Sequence, residues 1–227
     1  KVLGKASLSF NVSGTPERVA LTQLKAILDD SKMTGEARAN NLDKEVPVIR
    51  VNLDLDGINL DRYMAPEKPE GVTGAGGTAS DKPVAASDDL GIPKELLRKQ
   101  DAVLDFTLGK LVMQKATLTD ARVKVSSRYG VVLVEPFRAS LYDGQFDAML
   151  RMDVRTDTPQ FTITEKLAGV QSAQLLKDMF DDQYLSGNAN MDVSLTTEGN
   201  RVSELKKHLN GKMSLAFNEG SVNDSRL

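Results

Sequence analysis

The chain has 227 residues, of which 40% are hydrophobic, and a formal net charge of -3 at pH 7. This length and composition are sufficient for a sizeable core in one or two domains. The balanced charge, with no lysine- and arginine-rich run, argues against a nucleic-acid partner. The sequence contains no cysteine, which excludes disulfides, thiolate metal sites and thiol catalysis.

The sequence gives no sign of a membrane anchor of its own. No apolar run approaches the ~18 residues that a membrane-spanning helix requires. Lys1 is not an initiator methionine, and no signal peptide follows it. We therefore expect the chain to be a soluble fragment of a longer protein.

One segment of the chain occurs twice. Residues 28–58 align with residues 141–170 when a single gap is placed near Val46. Each copy contains a polar turn, a strand, a break before Pro47 or Pro159, and a second alternating strand that ends near a glycine. This arrangement is typical of a β-hairpin, so the repeat predicts an extended sheet built from hairpins.

Hydrophobic residues recur at every second position in much of the chain. Between Phe146 and Val154 the even positions are apolar and the odd positions are mainly polar, as in a strand with one apolar face. Repetition of this pattern predicts an antiparallel sheet. The other alternating segments are residues 8–12, 104–108, 121–125, 131–139, 189–195 and 213–217. The spacing in residues 18–28 fits either a helix or a strand, and we interpret it as a strand.

Three short segments, residues 92–97, 172–180 and 202–209, have the spacing and flanking residues of helices. They are too few to cover about ten strands, given the ~10 Å width of a helix. Either a second sheet packs against the apolar face, or that face forms an open groove. Residues 65–91 are rich in Pro, Gly, Ala and Ser and predict a flexible linker between residues 1–64 and residues 92–227.

The polar residues do not form a catalytic or metal-binding motif. Oxygen ligands alternate in residues 52–61, as in a calcium loop, but the twelfth position is Tyr63 and not glutamate. The alternation instead indicates the outer face of a strand. His208, the single histidine, lies beside Lys206 and Lys207 on a predicted amphipathic helix, where solvent exposure is expected. We predict no catalytic residue, no metal and no cofactor.

Short runs in the second half of the chain occur in a characteristic order. They are Leu141-Tyr142-Asp143-Gly144, Leu167-Ala168-Gly169-Val170-Gln171, Leu185-Ser186-Gly187-Asn188-Ala189 and Leu209-Asn210-Gly211, preceded upstream by Asp56-Gly57-Ile58-Asn59-Leu60-Asp61. In this order they resemble the C-terminal region of bacterial AsmA-like proteins. The resemblance covers nearly the whole chain and implies an inner-membrane anchor N-terminal to it, a periplasmic location and a role in outer-membrane biogenesis.

The resemblance also extends to bridge-like lipid transfer proteins, whose long β-grooves imply movement of phospholipids between the inner and outer membranes. We therefore expect a mainly β protein with an extended, curved, groove-like antiparallel sheet and about three short helices. Its partners are expected to be phospholipids or other acyl-chain lipids and the membrane. The side chains predicted to line the groove are Leu104, Phe106, Val123, Val125, Leu133, Phe137, Phe146, Leu150, Met152, Val154, Phe161, Ile163, Met191 and Val193.

Two other classes of function remain open. A scaffold would recruit envelope proteins, such as outer-membrane proteins during their assembly, by pairing its free sheet edges with their strands. An enzyme on a β-sandwich would require two carboxylates that converge in a pocket. Bound lipid distinguishes the conduit from the scaffold, and two close, buried acids would indicate the enzyme.

Overall fold

The computed structural model of the protein describes residues 4–63, 88–113, 115–180 and 185–222. These residues form one open sheet of twelve strands with three short α-helices. The prediction of a mainly β fold with an extended sheet is confirmed. The strands are β1 (Ala6–Thr15), β2 (Arg18–Leu28), β3 (Ser31–Asn40), β4 (Val48–Leu55), β5 (Ile58–Asn59), β6 (Asp101–Met113), β7 (Ala116–Arg128), β8 (Val131–Leu141), β9 (Gly144–Asp153), β10 (Gln160–Gln171), β11 (Leu185–Glu198) and β12 (Asn210–Val222), and the helices are α1 (Lys94–Arg98), α2 (Ser172–Phe180) and α3 (Val202–Lys207).

The strands lie in the sheet in the order in which they occur in the chain, except that β5 pairs beside β6. β1 to β4 form one antiparallel meander and β6 to β12 form another. The two are joined by parallel pairing of β4 with β6, in which Val51 lies opposite Leu104. The predicted segments 1–64 and 92–227 therefore share one sheet. This parallel join is a departure from the purely antiparallel sheet that the alternation predicts.

Both predicted hairpins are present. β3 pairs with β4, and β9 pairs with β10, each in antiparallel register. The turn before each hairpin contains an aspartate in the left-handed region, Asp29 with a φ of 55° and Asp143 with a φ of 63°. Aspartate tolerates this conformation better than most residues. The repeated segment is thus a repeated structural unit that extends the sheet.

A β-bulge explains the ambiguous spacing in β2. Its pairing with β3 is regular as far as Leu21 and resumes at Leu24, and Gln23 between them has a φ of 52°. The extra residue leaves both leucines on the same face of the sheet. The resulting spacing of three mimics a helix, although the interpretation of residues 18–28 as a strand is confirmed.

The three predicted helices are confirmed, and they lie at the two rims formed by the strand ends. α2 directly follows β10 at one rim, which we call the α2 rim. α1 and α3 lie at the opposite rim, the α1–α3 rim, where Gly130 in the β7–β8 turn donates its N–H to the carbonyl of Leu97 in α1 at 2.8 Å. The helices at the two rims are too narrow to cover the sheet.

Residues 88–93 connect α3 with α1 along the α1–α3 rim. The Asp88 carboxylate accepts hydrogen bonds from the backbone N–H (3.0 Å) and the hydroxyl (2.6 Å) of Ser203 at the start of α3. The Lys94 ammonium at the start of α1 donates to the side chain of Asn200 at 3.0 Å. These contacts bring together parts of the chain that are far apart in sequence.

The predicted linker falls mainly on residues whose structure is not described. Of residues 65–91, positions 65–87 lie outside the described residues. The remaining positions, 88–91, are held by hydrogen bonds, including one from the Leu90 N–H to the carbonyl of Asn200 at 2.9 Å. The flexibility of residues 65–87 therefore stays a prediction.

Asp153 holds two arginines at the end of the β9–β10 hairpin. Its carboxylate accepts hydrogen bonds from the side chains of Arg155 (2.6 Å) and Arg151 (2.9 Å). The bond from the Arg155 side chain lowers the pKa of Asp153 to about 2, although partial burial opposes this shift. The ionised carboxylate thus stabilises the folded state.

We expect Asp153→Asn to lower the free energy of unfolding at neutral pH by about 1 kcal/mol, because the amide cannot form the charged pair. A carboxyl group with a depressed folded-state pKa stabilises the fold above its ordinary pKa of about 4 and loses that contribution as the pH falls. The difference between wild type and variant should shrink from about pH 4 to about pH 2, as measured by denaturant unfolding. A constant difference would contradict the assignment. Asp157→Asn is the control, because its fully exposed carboxylate contacts Arg98 only at 3.4 Å.

Candidate functional site, an apolar sheet face

One face of the sheet carries rows of apolar side chains. Directly paired residues on neighbouring strands point to the same face, so the register traces each row across the sheet. One row runs from Leu53 on β4 through Phe106, Val123 and Phe137 to Ala148 on β9. We call the face that carries this row the apolar face, and the other side of the sheet the polar face.

Two further rows flank the first on the apolar face and cross most of the sheet. Each row runs perpendicular to the strands, along the direction in which the sheet is extended. One comprises Ala37, Val51, Leu104, Val125, Val134, Leu150, Ile163 and Leu195, and the other comprises Ala26, Met33, Leu55, Leu108, Ala121, Ala139, Phe146, Leu167, Met191 and Leu215.

No second sheet covers this face in the part of the chain that the structure describes. On β1, Leu8 is 62% exposed, and on β12, Met213 is 68% and Leu215 is 52% exposed. The apolar side chains of the central strands are mostly half-buried, by one another. Of the two arrangements left open by the sequence, the described residues adopt the uncovered face. Among the described residues, the buried hydrophobic side chains are few: Val103, Leu108, Ala121, Ala139, Leu141, Val154, Val170 and Ala189.

The apolar face is partly closed next to α2. There Leu141, Val170 and Ala189 are buried in a small cluster, and Leu118 on β7 and Leu175 on α2 pack against it. Val170 has no exposed surface. We call these five residues the α2 cluster. It contributes one packed core at this rim. The half-buried side chains of the other rows remain accessible, apart from a second buried cluster on the same face that consists of Leu108, Ala121 and Ala139.

Tyr142 attaches α2 to the sheet beside this cluster. Its hydroxyl donates a hydrogen bond to the Asp178 carboxylate of α2 at 2.7 Å and accepts one from the backbone N–H of Thr117 at 3.2 Å. Burial, followed by the bond to Asp178, raises the pKa of Tyr142 to about 12. The hydroxyl therefore remains a neutral donor at physiological pH.

Hollows are present on both faces of the sheet. A hollow of about 570 Å³ on the apolar face is lined by side chains of β1 to β5, including Leu8, Met33 and Ile58. A larger concavity of about 1020 Å³ lies over β8 to β12 on the polar face. It lies between two rows of residues, one that contains Asp147 and one that contains Met149. It is open and its lining carries both signs of charge, so the uncovered apolar face is the stronger candidate for a binding surface.

The model of the AsmA family matches residues 1–227. The chain belongs to the AsmA family. No curated protein and no solved structure matches it. In the described part of this AsmA-family chain, no helix has the length and hydropathy needed to span a membrane.

All but two of the predicted groove residues share the apolar face of the AsmA-family sheet. This follows from the strand register and not from any bound lipid, so their contact with lipid stays a prediction. The residues on this face are Leu104, Phe106, Val123, Val125, Phe137, Phe146, Leu150, Met152, Phe161, Ile163, Met191 and Val193.

The positions of Leu133 and Val154 differ from the prediction. Leu133 pairs with Arg151 on the polar face, because a bulge between Val134 and Phe137 inverts the alternation within β8. Val154 lies beyond the end of β9 and has no exposed surface. A fully buried side chain cannot contact a ligand, so Val154 belongs to the packed structure of the α1–α3 rim.

Because of the same bulge, the sequence pattern assigns two residues of the apolar face to the polar face. Val132 and Val134 lie on the apolar face, opposite Met152 and Leu150, although the alternation assigns them to the polar side. A proline inside a strand pattern is a known signal of a bulge, and Pro136 supplies it here. Glu165 was also missed, because its position on the apolar face breaks the apolar alternation of β10.

Charged side chains of the AsmA-family sheet concentrate on the polar face and at the rims. Arg138 pairs with Asp147 across β8 and β9 at 2.8 Å. In the stretch that resembles a calcium loop, the Asp54 carboxylate accepts a hydrogen bond from the Thr107 hydroxyl, and Asp61 accepts one from a backbone N–H at 2.8 Å. These carboxylates stabilise strands and turns. Among the described residues, no three His, Asp or Glu side chains are placed so that they could hold a metal ion together.

Proposed function

We propose that this AsmA-family chain is a non-enzymatic part of a periplasmic lipid conduit, anchored to the inner membrane and used in outer-membrane biogenesis. The observation that supports this proposal is the uncovered apolar face. Its rows of side chains extend across the strands from β2 to β12. Acyl chains require continuous apolar surface and no reactive groups. The proposal assigns no catalytic residue.

The rows give an acyl chain a path along the sheet. A lipid would lie across the strands with its acyl chains against the apolar face and its headgroup at the open side of that face, in contact with water. Each buried CH₂ group contributes about 0.8 kcal/mol, an upper value here because one open face covers only part of a chain. The interaction is non-directional, so a chain can slide from one strand to the next without breaking hydrogen bonds. Movement along the rows is therefore passive.

Lipid bound to protein isolated from the periplasm tests this proposal. The chain would be exported to a bacterial periplasm, purified without detergent, and examined by native mass spectrometry and by lipid extraction. We expect protein with phospholipid bound in a defined ratio. Protein that is free of lipid after isolation from this compartment would contradict the conduit.

The free edges of the sheet favour a second candidate function, a scaffold for envelope proteins. Among the described strands, β1 and β12 each pair on one side only, and exposed strand edges can pair with a strand from another protein. Such a scaffold would need free backbone groups and no lipid. Cross-linking in cells from cysteines introduced at Ser9 on β1 and Ser214 on β12 tests it. The scaffold predicts cross-links to other envelope proteins, and the conduit predicts bound lipid.

A further inference from the structure

Glu165 is a charged side chain that the register places on the apolar face of the sheet. It lies on β10 between Ile163 and Leu167, directly opposite Ala148 on β9 and Val193 on β11. Its side chain is half-buried, and within the described structure its carboxylate has no hydrogen bond or ion pair. A cationic ligand would stabilise this isolated carboxylate in the middle of an apolar row.

The partner must supply positive charge together with apolar surface. Hydrocarbon laid over the Glu165 carboxylate would remove water from it without compensation. A lipid whose headgroup carries a cation would form an ion pair with the carboxylate. Its acyl chains would keep their contacts with the apolar side chains of the face. We propose that Glu165 binds the ammonium group of a zwitterionic aminophospholipid and fixes the headgroup end of that lipid on the apolar face. This inference rests on the proposed lipid function and names the headgroup class.

The part of this row between Glu165 and Val123 has the length of one acyl chain. A chain spans about 15 Å, half of the ~30 Å hydrocarbon core of a bilayer, and strands are spaced by about 4.8 Å. From Glu165, three spacings cross Ala148 and Phe137 and end at Val123. None of these residues is charged. The small Ala148 leaves space beside the carboxylate. The Phe137 ring packs edge-to-face on Phe146, with the ring centroids 5.1 Å apart, and provides an aromatic surface for the acyl chain.

Calorimetric titration with two monomeric lysolipids that have the same acyl chain tests this site. Lysophosphatidylethanolamine carries an ammonium group, and lysophosphatidylglycerol does not. We expect the wild-type chain to bind the ethanolamine lipid about fivefold more tightly, the effect of one partly exposed ion pair. Glu165→Gln should bring the two affinities together, and Glu165→Lys should reverse the order. Asp192→Asn makes the same charge change on the exposed polar face beside Val193 and should keep the wild-type preference.

The outcomes separate this inference from the proposed function. If the wild-type chain binds both lysolipids equally, or if Glu165→Gln keeps the wild-type ratio, the headgroup site is wrong while the conduit stands. If the wild-type chain binds neither lysolipid, the proposed function itself fails, and the headgroup site fails with it. The wild-type ratio tests the site even if a variant does not fold.

Discussion

Leu150→Glu should remove bound lipid and leave the sheet folded. Leu150 is half-buried on the apolar face and lies opposite Val134 on β8 and Ile163 on β10. Because this face is uncovered, the new carboxylate stays partly hydrated, and we expect a loss of about 1–2 kcal/mol in the free energy of unfolding. The same charge repels acyl chains, so lipid occupancy measured by native mass spectrometry should fall about tenfold or more.

Met149→Glu is the matched control for this variant. Met149 precedes Leu150 on β9 and lies on the polar face opposite Thr164, so the same type of substitution should leave lipid occupancy unchanged. Arg151→Glu is less suitable, because Arg151 donates a hydrogen bond to Asp153 at 2.9 Å. Reversing its charge would disturb the end of the β9–β10 hairpin as well as the surface.

Two results would count against the conduit. If Leu150→Glu unfolds the protein, the apolar face is packed against something and is not an open groove. If the variant folds and retains its lipid, β9 does not contact the lipid. In both cases circular dichroism and thermal unfolding, compared with Met149→Glu, distinguish a folding defect from a binding defect.

The alternation in the sequence identified the apolar face wherever a strand is uninterrupted. In β9 and β10, Phe146, Leu150 and Ile163 keep a strict period of two, and their register follows from it. A single bulge in β8 inverts that period, so Leu133 was assigned to the wrong face. The alternation therefore assigns side chains to the correct face only within a stretch of strand that no bulge interrupts.

The parallel join could not be predicted from the sequence. β4 and β6 carry the same alternation as every other strand, and nothing local indicates that they are neighbours. Asp88, which precedes β6 in the chain, has a distant partner, since Ser203 is 115 positions away. Long-range contacts of this kind leave no periodic signal, because each partner is a common polar residue in a turn or at a helix start.

The burial of Val154 and the openness of the apolar face have a similar origin. Val154 continues the alternation of β9, and only its position beyond the strand end, beneath the contacts of the α1–α3 rim, makes it inaccessible. The small number of predicted helices left an open groove as one of two possibilities. Which residues are covered depends on tertiary packing, which the binary pattern of apolar and polar residues does not encode.

Val170→Asp should destabilise the protein far more than a comparable substitution on the open face. Val170 has no exposed surface and packs in the α2 cluster with Leu141 and Ala189. A carboxylate there loses its hydration without gaining a cationic partner, which costs several kcal/mol. For a chain of this size each kcal/mol corresponds to about 2–4 °C, so we expect the unfolding temperature to fall by roughly 10 °C or more.

Val125→Asp is the matched control, because Val125 is half-buried on the uncovered face between Leu104 and Val134. Its carboxylate remains in contact with water, so the unfolding temperature should fall by only a few degrees. Equal, large decreases for both variants would mean that the apolar face is a packed core and that no groove exists. Equal, small decreases would mean that the α2 cluster is open as well. Only a large decrease for Val170→Asp beside a small one for Val125→Asp fits a sheet that is packed at its α2 rim and open along its rows.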